Sequence, residues 1–407
     1  MGPARGHFED RLWQADPGAM GGRRNRRAFT YEAFVPDPIG DWEIELRADA
    51  VAAVTEATSA VEHLNQSPPK LQSLEALARQ LLRAESLASS RIEGLELSHR
   101  RLAHAAFQGD GAQDSKASDV VGNIAAMERA IALGAGADPF TVSDIEEIHE
   151  ALLRFGFDKP IAGVIRMKQN WIGRNPHTPQ NADYVPPPPE QVEGLLQDVC
   201  VFMNRTDLPA LVQAAVAHAQ FETIHPFIDG NGRVGRCLIH AVLKRREVAP
   251  SVVPPISLIL ASRREQYIQG LVGFREGLHD EWIEAFSDAA KFASEEAERF
   301  AAEIAALQQR WVETLGRPRR DSAAHKILTA LPAYPVIDVA TAQDIAGVSD
   351  VAAGRALNAI EEAGILTNLE ARQRRRTWEC RQLFELVNDF EHDLATPTGD
   401  GSTVSRL

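Results

Sequence analysis

Apolar residues recur at helical spacing along most of the chain. Between residues 50 and 64 they stand three or four positions apart, which predicts an amphipathic helix ended by Pro68-Pro69. A second helix is predicted from Leu74 towards Ser90. Further helical patterns cover residues 119–133, 142–155, 190–204, 209–221 and 257–307, the last with a break near 277–280. The pattern therefore predicts a mainly α fold.

Two stretches depart from this helical pattern. Between residues 163 and 189, short strand-like runs lead to Tyr184-Val185 and then to four prolines, which predicts an irregular β-hairpin because proline cannot donate to a strand ladder. After residue 321 the pattern runs helix, helix, helix and two short strands, which is the order of a winged helix-turn-helix domain. There Thr341 with Asp344 predicts a capping box, and Ser349 predicts the cap of the next helix.

The length of 407 residues suits two or three domains. Their predicted limits are a flexible tail with a basic cluster (1–27), an N-terminal helical region (28–112), a catalytic core (113–312), a linker (313–321), the winged-helix domain (322–395) and a second tail (396–407). The winged-helix segment carries seven basic and eleven acidic residues. Because DNA-reading domains are normally basic, DNA and protein both remain open as its partner, despite wing arginines at 372, 374, 375 and 376.

Charge and cysteine content narrow the class of protein. The formal net charge of −14 argues against bulk nucleic-acid affinity. No apolar run is long enough to span a bilayer, and the first residues lack the apolar region of a secretory signal, so we expect no membrane contact. The three cysteines are far apart and form no C-x-x-C pair, which argues against disulfides and structural zinc and favours a cytoplasmic location.

The densest group of chemically useful residues is His225-Pro226-Phe227-Ile228-Asp229-Gly230-Asn231-Gly232-Arg233-Val234-Gly235-Arg236. An imidazole can accept a proton from a hydroxyl, and a carboxylate four residues later can bind Mg²⁺. Gly-Asn-Gly lets backbone N–H groups approach an anion, and the helix predicted to begin near Asn231 adds its N-terminus. The two arginines offer planar donors to phosphates. These are the parts of a phosphoryl-transfer site.

Other nucleotide and hydrolase motifs fit poorly. Gly230, Gly232 and Gly235 match the dinucleotide fingerprint by spacing, but a predicted helix precedes them where that fingerprint requires a strand. The chain contains neither a G-x-x-x-x-G-K-[ST] loop nor an H-E-x-x-H helix. A P-loop nucleotidase and a zinc protease are therefore excluded.

The twelve-residue string resembles the signature of Fic-domain proteins, H-P-F-x-[DE]-G-N-G-R-x-x-R, at every fixed position. Gly163-x-x-Arg166, Trp171-Ile172-Gly173, Phe34-Val35-Pro36 and the C-terminal pattern add to the resemblance. It implies a Fic-type helical core with a β-hairpin flap that could clamp a target segment, and a C-terminal winged helix. The implied activity is transfer of AMP from ATP, with Mg²⁺, to a Tyr, Thr or Ser hydroxyl of a protein, including the enzyme itself.

The resemblance also implies a role for each matching residue. His225 would be the general base, and Asp229 would bind Mg²⁺. Gly230, Asn231, Gly232, Arg233, Gly235 and Arg236 would bind the nucleotide, with Arg236 on the γ-phosphate and Phe227 packed beneath the loop. Tyr267 and Trp282 are aromatic candidates near the adenine, although a core role suits each equally well. His149, His218 and His240 are interpreted as structural histidines.

Ser89-Ser90-Arg91-Ile92-Glu93-Gly94 resembles the inhibitory motif of the same family, [ST]-x-x-x-E-[GN]. The resemblance implies that Glu93 pairs with Arg236 and keeps ATP in a non-productive pose. Three other readings remain open. The Fic core could be the nucleotide sensor of a DNA-associated regulator, the site could use another nucleotide or phosphodiester donor, or it could remove AMP with Glu93 aligning water. A homodimer is also left open.

Overall fold

The structure, a computed structural model, describes residues 5–15, 18, 23–66, 74–108, 114–156, 158–369 and 376–395. Within these residues the helices are α1 (Ala48–Gln66), α2 (Leu74–Ile92), α3 (His99–Gln108), α4 (Ser115–Gly134), α5 (Val142–Leu153), α6 (Pro189–Met203), α7 (Ala210–Ile224), α8 (Asn231–Arg245), α9 (Ile256–Ser262), α10 (Arg264–Arg275), α11 (His279–Thr314), α12 (Ala323–Ala330), α13 (Val339–Ala346), α14 (Asp350–Glu362) and α15 (Arg381–Ala395). The strands are β1 (Gly6–Trp13), β2 (Phe29–Pro36), β3 (Val336–Asp338), β4 (Thr367–Leu369) and β5 (Thr377–Glu379). The mainly helical prediction is confirmed.

Interresidue contacts divide the chain into two compact units, each described here by itself. Unit 1 comprises Met1–Glu56, Ala125–Glu247 and Glu265–Asp288, and unit 2 comprises Ala57–Ile124, Val248–Arg264 and Ala289–Leu407. The serial domain limits drawn from the sequence stay predictions. In the described ranges, no helix combines the length and the apolar character needed to cross a membrane.

The N-terminal segment is not a tail throughout. Strand β1 pairs antiparallel with β2, from Gly6 opposite Pro36 to Trp13 opposite Phe29, so the flexible-tail prediction is wrong for this strand. Its inward side chains make polar and aromatic contacts: Glu9 with Gln191, Arg11 with Glu190 and Trp13 with Trp171. Because this face is not apolar, the alternation that marks a half-buried strand is missing from the sequence.

The core of unit 1 is built on α7 and α8. Fourteen of the fifteen residues of α7 are buried, so this helix is enclosed on every side and has no solvent-facing polar face. The end of α4 approaches α8 closely at Gly134, where a Cβ would lie 2.5 Å from the carbonyl oxygen of Ala241. Helix α8, which begins inside the signature, is therefore packed tightly against the end of α4.

The predicted flap hairpin is reduced to one β-bridge. Ile172 and Tyr184 exchange backbone hydrogen bonds, with N···O distances of 2.8 and 3.1 Å. The strand-like runs at residues 164–167 form no strand, so that part of the prediction is wrong. The prolines at 186–189 lack N–H donors, which prevents the ladder from continuing beyond the bridge.

In unit 2, three short strands form an antiparallel sheet in the order β3-β5-β4. Along the chain, α12 precedes β3, and α13 and α14 lie between β3 and β4. Ser349 caps α14 as predicted, accepting from the N–H of Ala352. The capping box at Thr341 is wrong, because α13 begins earlier and Asp338 caps it by accepting from the Thr341 N–H. The arginines at 372, 374 and 375 and the predicted tail at 396–407 lie outside the described residues.

Candidate active site

The signature loop joins the end of α7 to the start of α8, as the sequence predicts. His225 ends α7 in the left-handed conformation, with φ 50° and ψ 61°. Gly230 precedes α8 with φ 79°, and a Cβ there would lie 2.8 Å from Cδ2 of Leu152. Glycine is therefore required at this position both by the backbone and by the available space. The loop returns the chain directly into the first turn of α8.

Asn231 closes this loop on itself. Its Oδ1 accepts from the N–H of Phe227 at 2.8 Å, and its Nδ2 donates to the carbonyl of Phe227 at 2.9 Å. Asn231 is buried, so its amide braces the loop and does not extend from it. Its backbone N–H belongs to the first turn of α8, where helical geometry supplies no intrahelical acceptor. The backbone there can therefore bind an anion while the side chain keeps the loop in shape.

Two rings support the loop from beneath. Phe227 is fully buried, and the ring of His149 on α5 stacks on it with centroids 3.7 Å apart. The N–H of Gly163 donates to Nδ1 of His149, so Nε2 carries the proton and donates to the carbonyl of Asp229 at 3.0 Å. Burial lowers the pKa of His149 to about 4. The sequence predicts a satisfied structural histidine here but gives no sign that it braces the loop.

Asp229 carries the carboxylate that the sequence assigns to a metal. Its side chain is 56% exposed and accepts from Nη2 of the mostly buried Arg233 at 3.2 Å. Within the described ranges, no group of three or more His, Cys, Asp or Glu side chains could hold a metal by itself. Magnesium is usually bound by one or two carboxylates together with substrate phosphates. The donor set therefore fits Mg²⁺ shared with a nucleotide.

Arg236 is fully buried and is joined to two further side chains. Its Nη1 donates to the hydroxyl of Tyr267 at 3.4 Å, and that hydroxyl lies 3.0 Å from Nε2 of His218. Since a guanidinium can only donate, the hydroxyl accepts from Arg236 and gives its own proton to Nε2. Burial, reinforced by the charge of Arg236, lowers the pKa of His218 to about 3, so the imidazole is neutral.

The two aromatic candidates, Tyr267 and Trp282, lie next to each other near Arg236. Tyr267 is buried and its ring lies 5.9 Å from that of His218 and 6.2 Å from that of Trp282. Trp282 is also buried and donates from Nε1 to the carbonyl of Ala215. The core role left open for Trp282 accounts for its contacts. The adenine contact of Tyr267 stays a prediction.

The segment resembling the inhibitory motif lies in unit 2. Ser89 is buried in the last turn of α2, whereas Glu93 follows the helix end and is exposed. Gly94 then turns the chain with φ 82°. Between Ser89 and Glu93, Arg91 donates to Glu391 of α15 at 2.8 Å. The pairing of Glu93 with Arg236 stays a prediction.

The fold and the site together define a mainly helical protein in which a loop with two left-handed residues leads into the N-terminus of a largely buried helix. Comparison with known protein families identifies the family that these residues match. Residues 139–243 match the model of the Fic/DOC family, and residues 51–132 match that of the Fic/DOC family N-terminal region. These two ranges of the chain therefore match a Fic/DOC domain and the N-terminal region of the same family, and the resemblance of the twelve-residue string to the Fic signature is confirmed.

Curated relatives align over part of the chain. The protein adenylyltransferase fic-1 of Caenorhabditis elegans is 33% identical over 134 residues, which are 32% of this chain and 23% of that protein. The protein adenylyltransferase Fic of Drosophila willistoni is 32% identical over 149 residues, 36% of this chain and 28% of that protein. The alignments thus span less than a third of these relatives.

Solved structures resemble the chain over a larger share. A Fic family protein from Desulfovibrio desulfuricans G20 has a TM-score of 0.52 at 19% identity and covers 88% of this chain and 99% of its own. A Fic domain containing signaling protein from Bacteroides thetaiotaomicron has a TM-score of 0.50 at 18% identity, covering 63% and 97%. At these identities the likeness concerns the fold alone.

Proposed function

We propose that the protein transfers AMP from ATP to a hydroxyl side chain of a protein, its own chain included, and releases pyrophosphate. The observation that carries this proposal is the complete signature loop, which brings an imidazole, a carboxylate and two buried arginines to the ends of α7 and α8. The relatives named protein adenylyltransferases support the same reaction.

Each residue of the loop has a defined task in this reaction. His225 accepts the proton of the acceptor hydroxyl, whose oxygen forms a bond to the α-phosphorus while the bond to the pyrophosphate oxygen breaks. The backbone N–H groups at the start of α8 bind phosphate oxygens, and Gly232 leaves room for their approach. Gly230 and Gly235 hold this backbone in place, because the absence of a Cβ lets them pack against Leu152 and Glu222 respectively. Arg233 and Arg236 stabilise the negative charge that develops on the leaving pyrophosphate. Asp229 would hold Mg²⁺, which supplies further stabilisation of phosphate charge.

Regulation of the site is part of the proposal. Glu93, in the sequence that resembles the inhibitory motif, pairs with Arg236 and competes with the γ-phosphate for it. The order of α12, β3, α13, α14, β4 and β5 supports a winged helix in unit 2, with DNA or protein as its partner. A Glu93→Gly chain is therefore the suitable background for measuring transfer.

The function is tested by incubating the Glu93→Gly chain with ATP labelled at the α-phosphate and following label on protein. We expect His225→Ala to lower the rate by about 10²–10⁴-fold, the usual worth of a general base. His63→Ala, which removes an exposed imidazole of α1, is the matched control and should not change it. Parallel reactions with GTP, CTP and UTP, and with AMP-modified protein, decide between AMP transfer, transfer of another nucleotide and AMP removal. No label from any nucleotide would reject the proposal and favour a nucleotide sensor.

A further inference from the structure

Arg166 is a buried cation with an unusual set of partners. It follows the turn at Gly163 and is 1% exposed. In the part of the chain that the structure describes, it makes no ion pair, and its guanidinium donates to backbone carbonyls alone. Nε donates to His225 at 2.8 Å, Nη1 to Lys168 at 3.3 Å, and Nη2 to Pro187 at 2.6 Å and to Ile224 at 3.2 Å.

Burying a guanidinium without a carboxylate partner carries a cost in desolvation free energy. Burial lowers the pKa of Arg166 to about 10, so the side chain remains charged at neutral pH. A buried charge is expensive to desolvate, and apolar residues of similar volume often serve stability as well or better. The carbonyls of Ile224 and His225 carry the partial negative charge of the C-terminus of α7, which offsets part of this cost. Stability alone therefore does not explain an arginine at this position.

The partners of Arg166 identify what it holds. Three hydrogen bonds of Arg166 fix the left-handed turn that ends α7. Its guanidinium donates to the carbonyls of Ile224 and His225, and its backbone N–H donates to the carbonyl of Pro226 at 2.9 Å. Asn170 adds to the same turn through Nδ2, which donates to the carbonyls of His225 and Phe227. A non-glycine residue in this conformation is strained and persists only where its surroundings fix it.

The other two carbonyls lie on either side of the flap. Lys168 comes before the bridge between Ile172 and Tyr184, and Pro187 comes after it. One guanidinium thus joins both ends of the flap to the residue that carries the imidazole. In an AMP transferase whose acceptor segment docks on the flap, this single group sets the position of the acceptor hydroxyl relative to His225.

We propose that Arg166 is a positioning residue, which holds His225 in its left-handed turn and fixes the base relative to the flap. This inference rests on the proposed function for its effect on catalysis, but its effect on the backbone is independent of it. The rate should fall when the guanidinium is lost, while nucleotide binding at the start of α8 should persist.

The test uses the full chain with Glu93→Gly and adds Arg166→Lys, which keeps the charge but loses the planar set of donors. We expect the single-turnover rate of AMP transfer at saturating ATP to fall about a hundredfold, as a misplacement of about 1 Å can produce. The Kd of a non-hydrolysable ATP analogue should stay within about twofold of the parent. Amide exchange in residues 224–228 should become faster.

Arg205→Lys is the matched control. Arg205 also donates to two backbone carbonyls, those of Gly40 and Trp42, but none of its partners belongs to the site. It should leave the transfer rate and the exchange of residues 224–228 unchanged. Asn170→Ala is a milder second variant, for which we expect a loss of rate of about tenfold with ATP binding retained.

The outcomes separate the two hypotheses. Absence of transfer by the Glu93→Gly parent would reject the proposed function, and the exchange measurement would still decide whether Arg166 holds the turn. A folded Arg166→Lys chain with the parent rate, with unchanged exchange at residues 224–228, or with a loss confined to ATP affinity would overturn the positioning role. If Arg166→Lys does not fold, an Asn170→Ala chain with the parent rate would overturn it.

Discussion

Two buried charges in this protein are stabilised in opposite ways. Arg166 in unit 1 is surrounded by neutral carbonyls. Glu379 on β5 in unit 2 is equally buried, but it accepts from Arg100 at 2.8 and 3.0 Å, from His104 at 2.9 Å and from Arg381 at 3.0 Å. Burial alone would raise the pKa of Glu379, yet these hydrogen bonds lower it to about 2.

The difference indicates two roles for a buried charge. Glu379 holds neighbouring elements together, whereas Arg166 orients the loop that carries His225. The cluster around Glu379 joins α3 to β5, and Ala103 and Phe107 of α3 pack with Val336 and Phe384 beside it. Its two arginines are exposed for about half of their surface, so water also stabilises their charges. Arg166 has no carboxylate within ion-pair distance among the described residues, and its bonds end on the turn that carries the imidazole and on the two ends of the flap. Substitution of Glu379 should therefore affect stability, whereas substitution of Arg166 should affect the rate.

The largest effect on stability is expected for Glu379→Gln, which leaves two guanidiniums and an imidazole facing a neutral amide. Removing one partner of a buried pair costs about 3 kcal/mol or more, so the free energy of unfolding measured in urea should fall by about that amount. Glu385→Gln, on an exposed face of α15, is the control and should change it little. Equal unfolding of the two variants would abolish the contrast with Arg166.

The second effect is a difference in pH dependence between the units. The neutral His149 stabilises the folded state fully above its unfolded pKa of about 6.5, and this contribution is lost as the pH falls towards its folded pKa of about 4. The loss from His149 should reach about 2 kcal/mol at pH 5. The ionised Glu379 contributes above about pH 4.5 and loses its contribution only as the pH falls towards 2.

Amide exchange measured from pH 7 to pH 4.5, and corrected for intrinsic rates, checks this order. Peptides of α5 and the loop at residues 225–231 should lose protection while those of β5 retain it. In a His149→Gln chain, the protection of the loop should become less dependent on pH in this window. Loss of protection in β5 before the loop would contradict the assigned pKa shifts.

The smallest effect is expected for Tyr267→Phe, which removes the hydroxyl between Arg236 and His218. One hydrogen bond is worth about 1 kcal/mol, so the Kd for ATP should rise by about fivefold, while the maximal transfer rate should change little. Calorimetry with a non-hydrolysable analogue measures this. A fall in the maximal rate at unchanged affinity would place Tyr267 with Arg166 among the residues that position the reacting groups.

The parts of this protein that were predictable from sequence depend on local order. The helical periodicity, the start of α8 at Asn231 and the cap at Ser349 all arise from residues within one or two turns of each other. Strand β1 is not predictable from the pattern of apolar residues, because its inward face carries Glu9 and Arg11.

The supports of the site depend on distant residues and were not predictable in the same way. Gly163 determines the tautomer of His149, and the carbonyl of Asp229 accepts the hydrogen bond from its Nε2–H, although Asp229 lies 80 residues from His149 in the chain. In the sequence, Gly163-x-x-Arg166 stands out only as part of a family pattern. That the guanidinium reaches His225 and Pro187 follows from the path of the chain around α7, which residue spacing does not reveal.

The link from α15 to α2 has a consequence for how the gene can be shortened. Glu391 accepts from Arg91 and lies 2.7 Å from Nε2 of the buried His99. A stop codon placed before α15 would remove this shared carboxylate and leave Arg91 at the end of α2 and His99 at the start of α3 to rearrange. A version of the protein trimmed to its matched family regions would therefore differ from the parent next to Glu93, and its labelling rate would not test the proposed inhibition by Glu93.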